Sequence, residues 1–364
     1  MQIIENSLNN IKIMYPIENL GVMENMLFID IETTGFTARS SNLYLIGCLY
    51  YDYGWKTKQF FADEYSDERE LLIDFYDFSK DFNTLIHFNG NNFDVPYIEA
   101  KSKELGIEKD LSRFKGIDIY KRISPYKNFL KLENCKQKTV EKFLGIKRED
   151  TFSGGDLINV YHEYVKSKDA DSKKFLLLHN YEDLKGMLEI LPALAYFDMF
   201  TKKLTVTKVS ANYYEDEAGE TRSEIMMIMN LPADLITPVS FLYDRCYFSG
   251  AGNQGMLRVP LYEEEMKYFY ANYKEYYYLP KEDIALHKSV SSFVDKEFRE
   301  QAKASNCYTR KFGRFLPEWE ALVEPFFKRE YDSKEMFFEL TDELKTDREM
   351  FSQYASLVLN HLVI

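Results

Sequence analysis

"MLFIDIETTG", residues 26–35, decides how the first half of this chain is read. Two acids, Asp30 and Glu32, stand two apart inside an otherwise apolar, β-prone run. Residues i and i+2 of a strand point to the same face, so the two carboxylates project together while Phe28, Ile29 and Ile31 anchor the strand. Carboxylates are almost never fully buried without compensation. Two on one face repel, and burial drives them toward the neutral form. A divalent cation removes that conflict, since hard oxygen ligands suit Mg²⁺ or Mn²⁺. The plainer alternative is a strand end whose acids face solvent. The "TTG" that follows predicts a turn at which the backbone, Thr33 included, can approach a ligand closely.

Working outward, the pattern predicts a layered domain. "LYLIGCLYYD" (43–52) and "KTKQFFA" (56–62) form a hairpin around Tyr53–Gly54. Residues 66–82 have helical spacing with an acidic first turn. "TLIHFNG" (84–90) is a short strand ending in a glycine turn, and 93–107 is a helix that tolerates Pro96 in its first turn. From 115 to 200 the spacing is mostly helical. Strands followed by alternating helix and strand give an α/β fold with a mixed sheet flanked by helices. The pattern changes after about residue 201. "KLTVTKVSANYYED", "SEIMMIMNL", "PVSFLYDRCYF" and "MLRVPLY" read as short strands joined by turns such as "EAGE" and "SGAGNQG", with two or three helices from 281 onward. This divides the chain into residues 1–200 and a C-terminal α+β accessory domain, 201–364.

Composition supports folded cores: 364 residues, 45% hydrophobic, with 28 Tyr and 28 Phe. A net charge of −13 excludes a generally basic polyanion binder, so any nucleic-acid contact must come from a local basic patch. Cys48, Cys135, Cys246 and Cys307 are far apart with no CxxC pair, which predicts a reducing, cytoplasmic setting and no zinc or iron–sulfur framework. There is no run of 18 apolar residues and no leader-like N-terminus, so no membrane association is expected.

Two further stretches carry acids in telling places. In "HFNGNNFDVPYI" (87–98), Asp94 falls in the first turn of a helix just past a strand and glycine turn, with Asn89, Asn91 and Phe93 lining the approach. Asp is favoured there by the helix dipole alone, so a local role and a ligand role both stand. In "LLLHNYEDLKGM" (176–187), His179 and Asp183 are four apart and share a helix face, whereas Tyr181 faces elsewhere.

In order and type, these motifs resemble the DEDD exonuclease superfamily of the ribonuclease-H-like fold, and "LENCKQKTVEKFLGIKREDTFSGGDLINVYHEY" (132–164) extends the resemblance to its YprB-like branch. The likeness spans roughly residues 24–198. It implies two divalent metal ions, Mg²⁺ or Mn²⁺, held by Asp30, Glu32, Asp94 and Asp183, with Asp30 bridging. It implies 3′→5′ hydrolysis of phosphodiester bonds, and His179 orienting or deprotonating the attacking water. Two metals about 3.5–4 Å apart stabilise both attacking and leaving oxygens of an in-line displacement. One departure stands out: His179 is four residues before the last Asp, the spacing of the superfamily's tyrosine-type members, where histidine-type members use five.

The substrate surface is expected along residues 115–148. These carry ten basic and three acidic residues, a local net of +7 within an acidic chain, Arg122 and Lys131 among them. Phe114, Tyr120, Tyr126 and Phe129 are interleaved, a mix suited to single strands, whose bases stack on rings while phosphates meet cations. A solvated helix face is the plainer reading of such a run. A second cluster at 287–314 (Lys288, Arg299, Lys303, Arg310, Lys311) reads as a structural face. The expected activity is a metal-dependent 3′→5′ exonuclease on single-stranded DNA ends in repair or processing, with a helicase or repair protein as possible partner. The alternatives are an exoribonuclease and a non-catalytic nucleic-acid-binding module on the same fold.

Overall fold

Residues 26–33 do form the strand at the heart of the first sheet. The computed structural model describes residues 1–9, 11–148, 154–216, 218–291 and 293–363, so residues 149–153 of the 132–164 motif lie outside the described residues. The strands of the first sheet are β1 (Gln2–Leu8), β2 (Met26–Thr33), β3 (Leu43–Tyr51), β4 (Trp55–Phe61), β5 (Thr84–His87) and β6 (Lys115–Asp118), in the order β1-β4-β3-β2-β5-β6. The β1/β4, β4/β3 and β3/β2 pairs are antiparallel, and β2/β5 and β5/β6 are parallel. This is a mixed sheet, with three antiparallel pairings followed by two parallel ones.

The helices of this part are α1 (Glu68–Ser79), α2 (Asp94–Glu104), α3 (Ile119–Ile123), α4 (Gln137–Phe143), α5 (Gly154–Ser167), α6 (Ala170–Glu189) and α7 (Leu194–Thr201). Ile29 and Ile31 join Leu71, Leu72 and Phe75 of α1 and Ile98 of α2 in one buried cluster. Helix α6 packs on β2, β3 and β4, on the side to which Asp30 and Glu32 point. The sheet is therefore covered on both faces, which is why its strands read as nearly continuous apolar runs.

Local chemistry sets the boundaries. The β3–β4 hairpin turns through left-handed Tyr53 (φ 51°) and Gly54 (φ 152°). A capping box between Glu64 and Asp67 precedes α1. Asp169 caps α6 by accepting from the Ser172 N–H at 2.7 Å. Two strands escape a sequence reading. β1 lies in what looks like a polar lead and exposes most of its side chains; backbone pairing to β4 holds it, helped by Gln2–Asp63 and Glu5–Lys58 contacts. β6, "KGID", is four residues of low strand propensity recruited by parallel pairing with β5.

The chain divides into two compact units, Met1–Asp198 with Ala233–Thr237, and Met199–Pro232 with Pro238–Ile364. The second unit is sheet-rich. Its main sheet runs β14-β15-β13-β9-β8-β7, where β7 is Thr205–Glu215, β8 Thr221–Tyr243, β9 Cys246–Phe269, β13 Tyr308–Glu318, β14 Phe326–Phe327 and β15 Met336–Glu339. A small sheet is built from β10 (Tyr276–Leu279), β11 (Ile284–His287) and β12 (Glu300–Gln301).

Two expectations change here. "SGAGNQG" is not a turn but part of β9, which lies next to β8 in the sheet, so residues of weak strand preference are carried within a long strand. The turn falls instead inside "PVSFLYDRCYF", at Asp244 and Arg245, both left-handed. Among the described residues after 281 the α-helices are α8 (Lys288–Ser291), only four residues long, and α9 (Arg348–His361), in line with the two or three expected, and five strands lie in the same segment. No helix among the described residues is long and apolar enough to cross a membrane.

Candidate active site

Asp30 and Glu32 reach the α6 side of the sheet from the end of β2, and the β2–β3 register shifts between Glu32 and Thr33. Such a bulge re-aims the side chains beside it. Asp30 is held well above the usual carboxylate range, by burial first and then by the charges of Asp183, Glu32 and Asp94, against a lowering hydrogen bond from Asn180. Asp94 enters at the start of α2 and accepts from the Ile31 N–H at 3.1 Å, which ties α2 to β2. Burial pushes the Asp94 carboxyl up to about 7, opposed by its backbone hydrogen bonds and assisted by the charges of Asp118 and Asp183.

Helix α6 supplies the rest. His179 is buried, its Nε2 lying 3.3 Å from Asp183 Oδ2 and 3.8 Å from Glu32 Oε1. Ligand atoms of Glu32, His179 and Asp183 all lie within 4.8 Å of one another. Tyr181 faces away, lining a cavity of about 490 Å³ with Ile4, Gln59 and Leu177. Three elements distant in sequence thus bring Asp30, Glu32, Asp94, His179 and Asp183 together. Their oxygen and nitrogen donors fit a hard divalent cation, which would compensate the buried carboxylates and relieve the repulsion that adds to the burial of Asp30 and Asp94.

Around this cluster the approach is ordered by side-chain hydrogen bonds. Thr33 Oγ1 and Ser41 Oγ both donate to the Gly35 carbonyl, and the Asn42 N–H donates to Thr34 Oγ1. The loop so fixed presents Phe36, 87% exposed, edge-on to Phe93 with ring centroids 6.3 Å apart. The backbone N–H groups of Asn89 and Asn91 donate to Asp118 at 2.9 and 3.2 Å. The Asn89 side chain accepts from Asn92, and Asn91 is exposed.

Three supporting groups were not foreseen. Asn180, next to His179, donates to Asp30 Oδ2 at 2.8 Å. Arg148 donates to Asp183 Oδ1 at 2.6 Å and to Glu141 Oε1 at 3.1 Å, while Gln137 Nε2 donates to Glu141 Oε1 and to the Asp183 carbonyl. This clamp from α4 and the residues after it lies against Gly186, where an added Cβ would stand 2.3 Å from Glu141 Oε1. Asp118, buried at the end of β6, organises the Asn89–Asn91 turn and caps α3 through the Lys121 N–H. Its position directly before "IYKRI" was the one available signal, that of an N-cap.

The basic segment divides. Lys115, Lys121, Lys127, Lys131, Lys136, Lys138, Lys142 and Lys147 are exposed. Arg122 is half-buried over the Phe197 ring at 5.1 Å, and Arg148 belongs to the clamp. Tyr126 and Phe129 are buried, at 9% and 2% exposure, so these two rings are core rather than stacking surfaces. Tyr120 is half-buried, edge-on to Phe88.

Residues 27–195 match the family model RNase_H_2 of the RNase_H superfamily, and the fold of this segment is ribonuclease-H-like. Solved structures that match this chain include an ExoI/SSB-Ct complex (10% identity, TM-score 0.33) and a structure of exonuclease I concerned with how processivity is achieved (11%, 0.32), each match covering 57% of this chain and 55% of the other. E. coli exonuclease I in complex with a dA16 oligonucleotide is a third (11% identity, TM-score 0.28, 57% of this chain and 54% of that one). The chain therefore spans about half the length of these proteins. No curated protein matches its sequence.

Proposed function

We propose that this chain is a metal-dependent 3′→5′ exonuclease that hydrolyses phosphodiester bonds at single-stranded DNA ends. The observation that carries the reading is the meeting of four carboxylates and one imidazole, drawn from β2, α2 and α6, with Asp30 and Asp94 raised by burial first and then by neighbouring carboxylates, Asp183 acting on both. Asp30, Glu32, Asp94 and Asp183 would hold two divalent ions, Mg²⁺ or Mn²⁺. Bound there, the ions would supply an activated water and charge stabilisation for the departing 3′-oxygen. His179 would take a proton at Nε2, since that atom faces both Glu32 and Asp183. Phe36 and Phe93 offer ring surface beside the cluster for a terminal base, and the exposed lysines of 115–147 offer cations for the strand behind it.

The test is release of nucleotides from a 3′-labelled DNA oligonucleotide with Mn²⁺ or Mg²⁺. Asp30→Ala and Asp183→Asn should each abolish release, and undiminished activity in Asp30→Ala would sink the assignment. A matched RNA oligonucleotide digested in parallel decides the sugar, and tight binding without turnover in Mn²⁺ would favour a binding module. Residues 201–364 are proposed as an accessory domain to this nuclease.

A further inference from the structure

We propose that Asn180 is a positioning residue for Asp30, oriented by Gln59 and given its space by Gly47; the inference rests on the reading of Asp30 as a metal-holding carboxylate. Asn180 is completely buried. Its Nδ2 donates to Asp30 Oδ2 at 2.8 Å and to the Asp30 carbonyl at 3.2 Å. Its Oδ1 accepts from Gln59 Nε2 at 2.9 Å, and the same nitrogen donates to the Leu177 carbonyl at 2.9 Å. A side-chain amide has one donor end and one acceptor end. Gln59, 1% exposed and anchored on Leu177, presents a donor, so only the NH₂ end of Asn180 can face Asp30.

Strand register explains why the relay spans the sheet. Asp30 on β2 pairs with Gly47 on β3, and Gly47 pairs with Gln59 on β4. The three residues form one row across three strands, and α6 lays Asn180 over its middle. That middle must be glycine. A Cβ at position 47 would stand 2.0 Å from Asn180 Oδ1 and 2.7 Å from its Cγ, distances no side chain accepts. Three positions on separate elements thus serve one hydrogen bond to one carboxylate oxygen. With Oδ2 occupied, the plane of the Asp30 carboxylate is fixed and Oδ1 remains for an ion, the role of outer partners that orient metal ligands.

The experiment is Mn²⁺ titration calorimetry on the full chain, with kcat and KM on a 3′-labelled oligonucleotide and melting curves in EDTA. Asn180→Ala should weaken Mn²⁺ binding about 10- to 100-fold and lower kcat with KM unchanged. Gly47→Ala should reproduce that loss with every polar group still present, because it displaces Asn180. Gln59→Met should give a smaller loss in the same direction, since Asn180 stays but its orientation is no longer dictated. Should Gly47→Ala not fold, Gln59→Met carries the measurement, as it keeps the side chain's length while removing the amide that donates to Asn180 Oδ1. Unchanged Mn²⁺ affinity in a folded Asn180→Ala protein, where Asp30→Asn does lose it, would overturn the positioning role and leave the nuclease reading intact. Equal Mn²⁺ binding by the native protein and Asp30→Asn would overturn both.

Discussion

Replacing Asp94 by asparagine should stabilise the metal-free protein at neutral pH. Asp94 titrates at about 7 in the folded chain against an ordinary 3.8, burial being the main cause. A raised carboxyl means that the folded state keeps a proton that the unfolded chain has already lost. Its stabilising contribution is fully present below pH 3.8 and is lost as pH rises through about 7. At about 1.36 kcal/mol per pH unit, that interval sets a ceiling of roughly 4 kcal/mol. Asparagine cannot ionise, yet its Oδ1 can still accept from the Ile31 N–H that anchors α2 to β2. The stability difference between Asp94→Asn and the native protein, by urea denaturation in EDTA, should therefore be near zero at about pH 4 and grow toward that ceiling by about pH 8. Saturating Mn²⁺ should reverse the ranking, because the native protein gains about 2.7 kcal/mol at a hundredfold excess over Kd and the variant gains less. A difference that does not vary with pH, or a native protein more stable than the variant at about pH 8 in EDTA, would refute the burial-driven rise of the Asp94 carboxyl.

Other consequences are as direct. Gly186→Ala should lose about 1–3 kcal/mol in thermal or urea unfolding, because its Cβ would collide with Glu141 Oε1 and Gln137 Nε2. Arg148→Gln should cost about 3 kcal/mol in EDTA by leaving the buried Glu141 and the half-buried Asp183 without their shared cation, and Mn²⁺ should recover part of the loss. Phe36→Ala, at a position 87% exposed, should leave unfolding within about 0.5 kcal/mol but weaken single-stranded DNA binding by roughly 1–3 kcal/mol in fluorescence anisotropy.

What could be read from the residues was whatever left a local trace. Asp30 and Glu32 stand out because β2 is otherwise apolar, Asp94 because a glycine turn and helix start frame it, and His179 with Asp183 because four residues bring side chains to one helix face. Gln59 left no trace. Within "KTKQFF" it looks like one more polar residue of an alternating strand, and its meaning depends on Asn180, 121 residues later. Gly47 inside "LYLIGCLYY" was equally silent, since only a helix crossing above it makes a methyl impossible. In the basic run, composition shows aromatics among cations but not which way each ring points, so Tyr126 and Phe129 read as stacking surfaces although they pack inward. Asp118 was counted there as one acid among three, whereas it is buried and accepts from three backbone N–H groups.

The row Asp30–Gly47–Gln59 is complete once β2, β3 and β4 have paired, but Asn180 lies 150 residues beyond Asp30. During synthesis the early strands can therefore form while the carboxylates remain unassembled. The site closes only when α6 has left the ribosome and docked on the sheet. A nascent or truncated chain ending before α6 would carry Asp30, Glu32 and Asp94 but no helix to organise them. Whatever chemistry the cluster performs, its assembly order withholds that chemistry until α6 has docked.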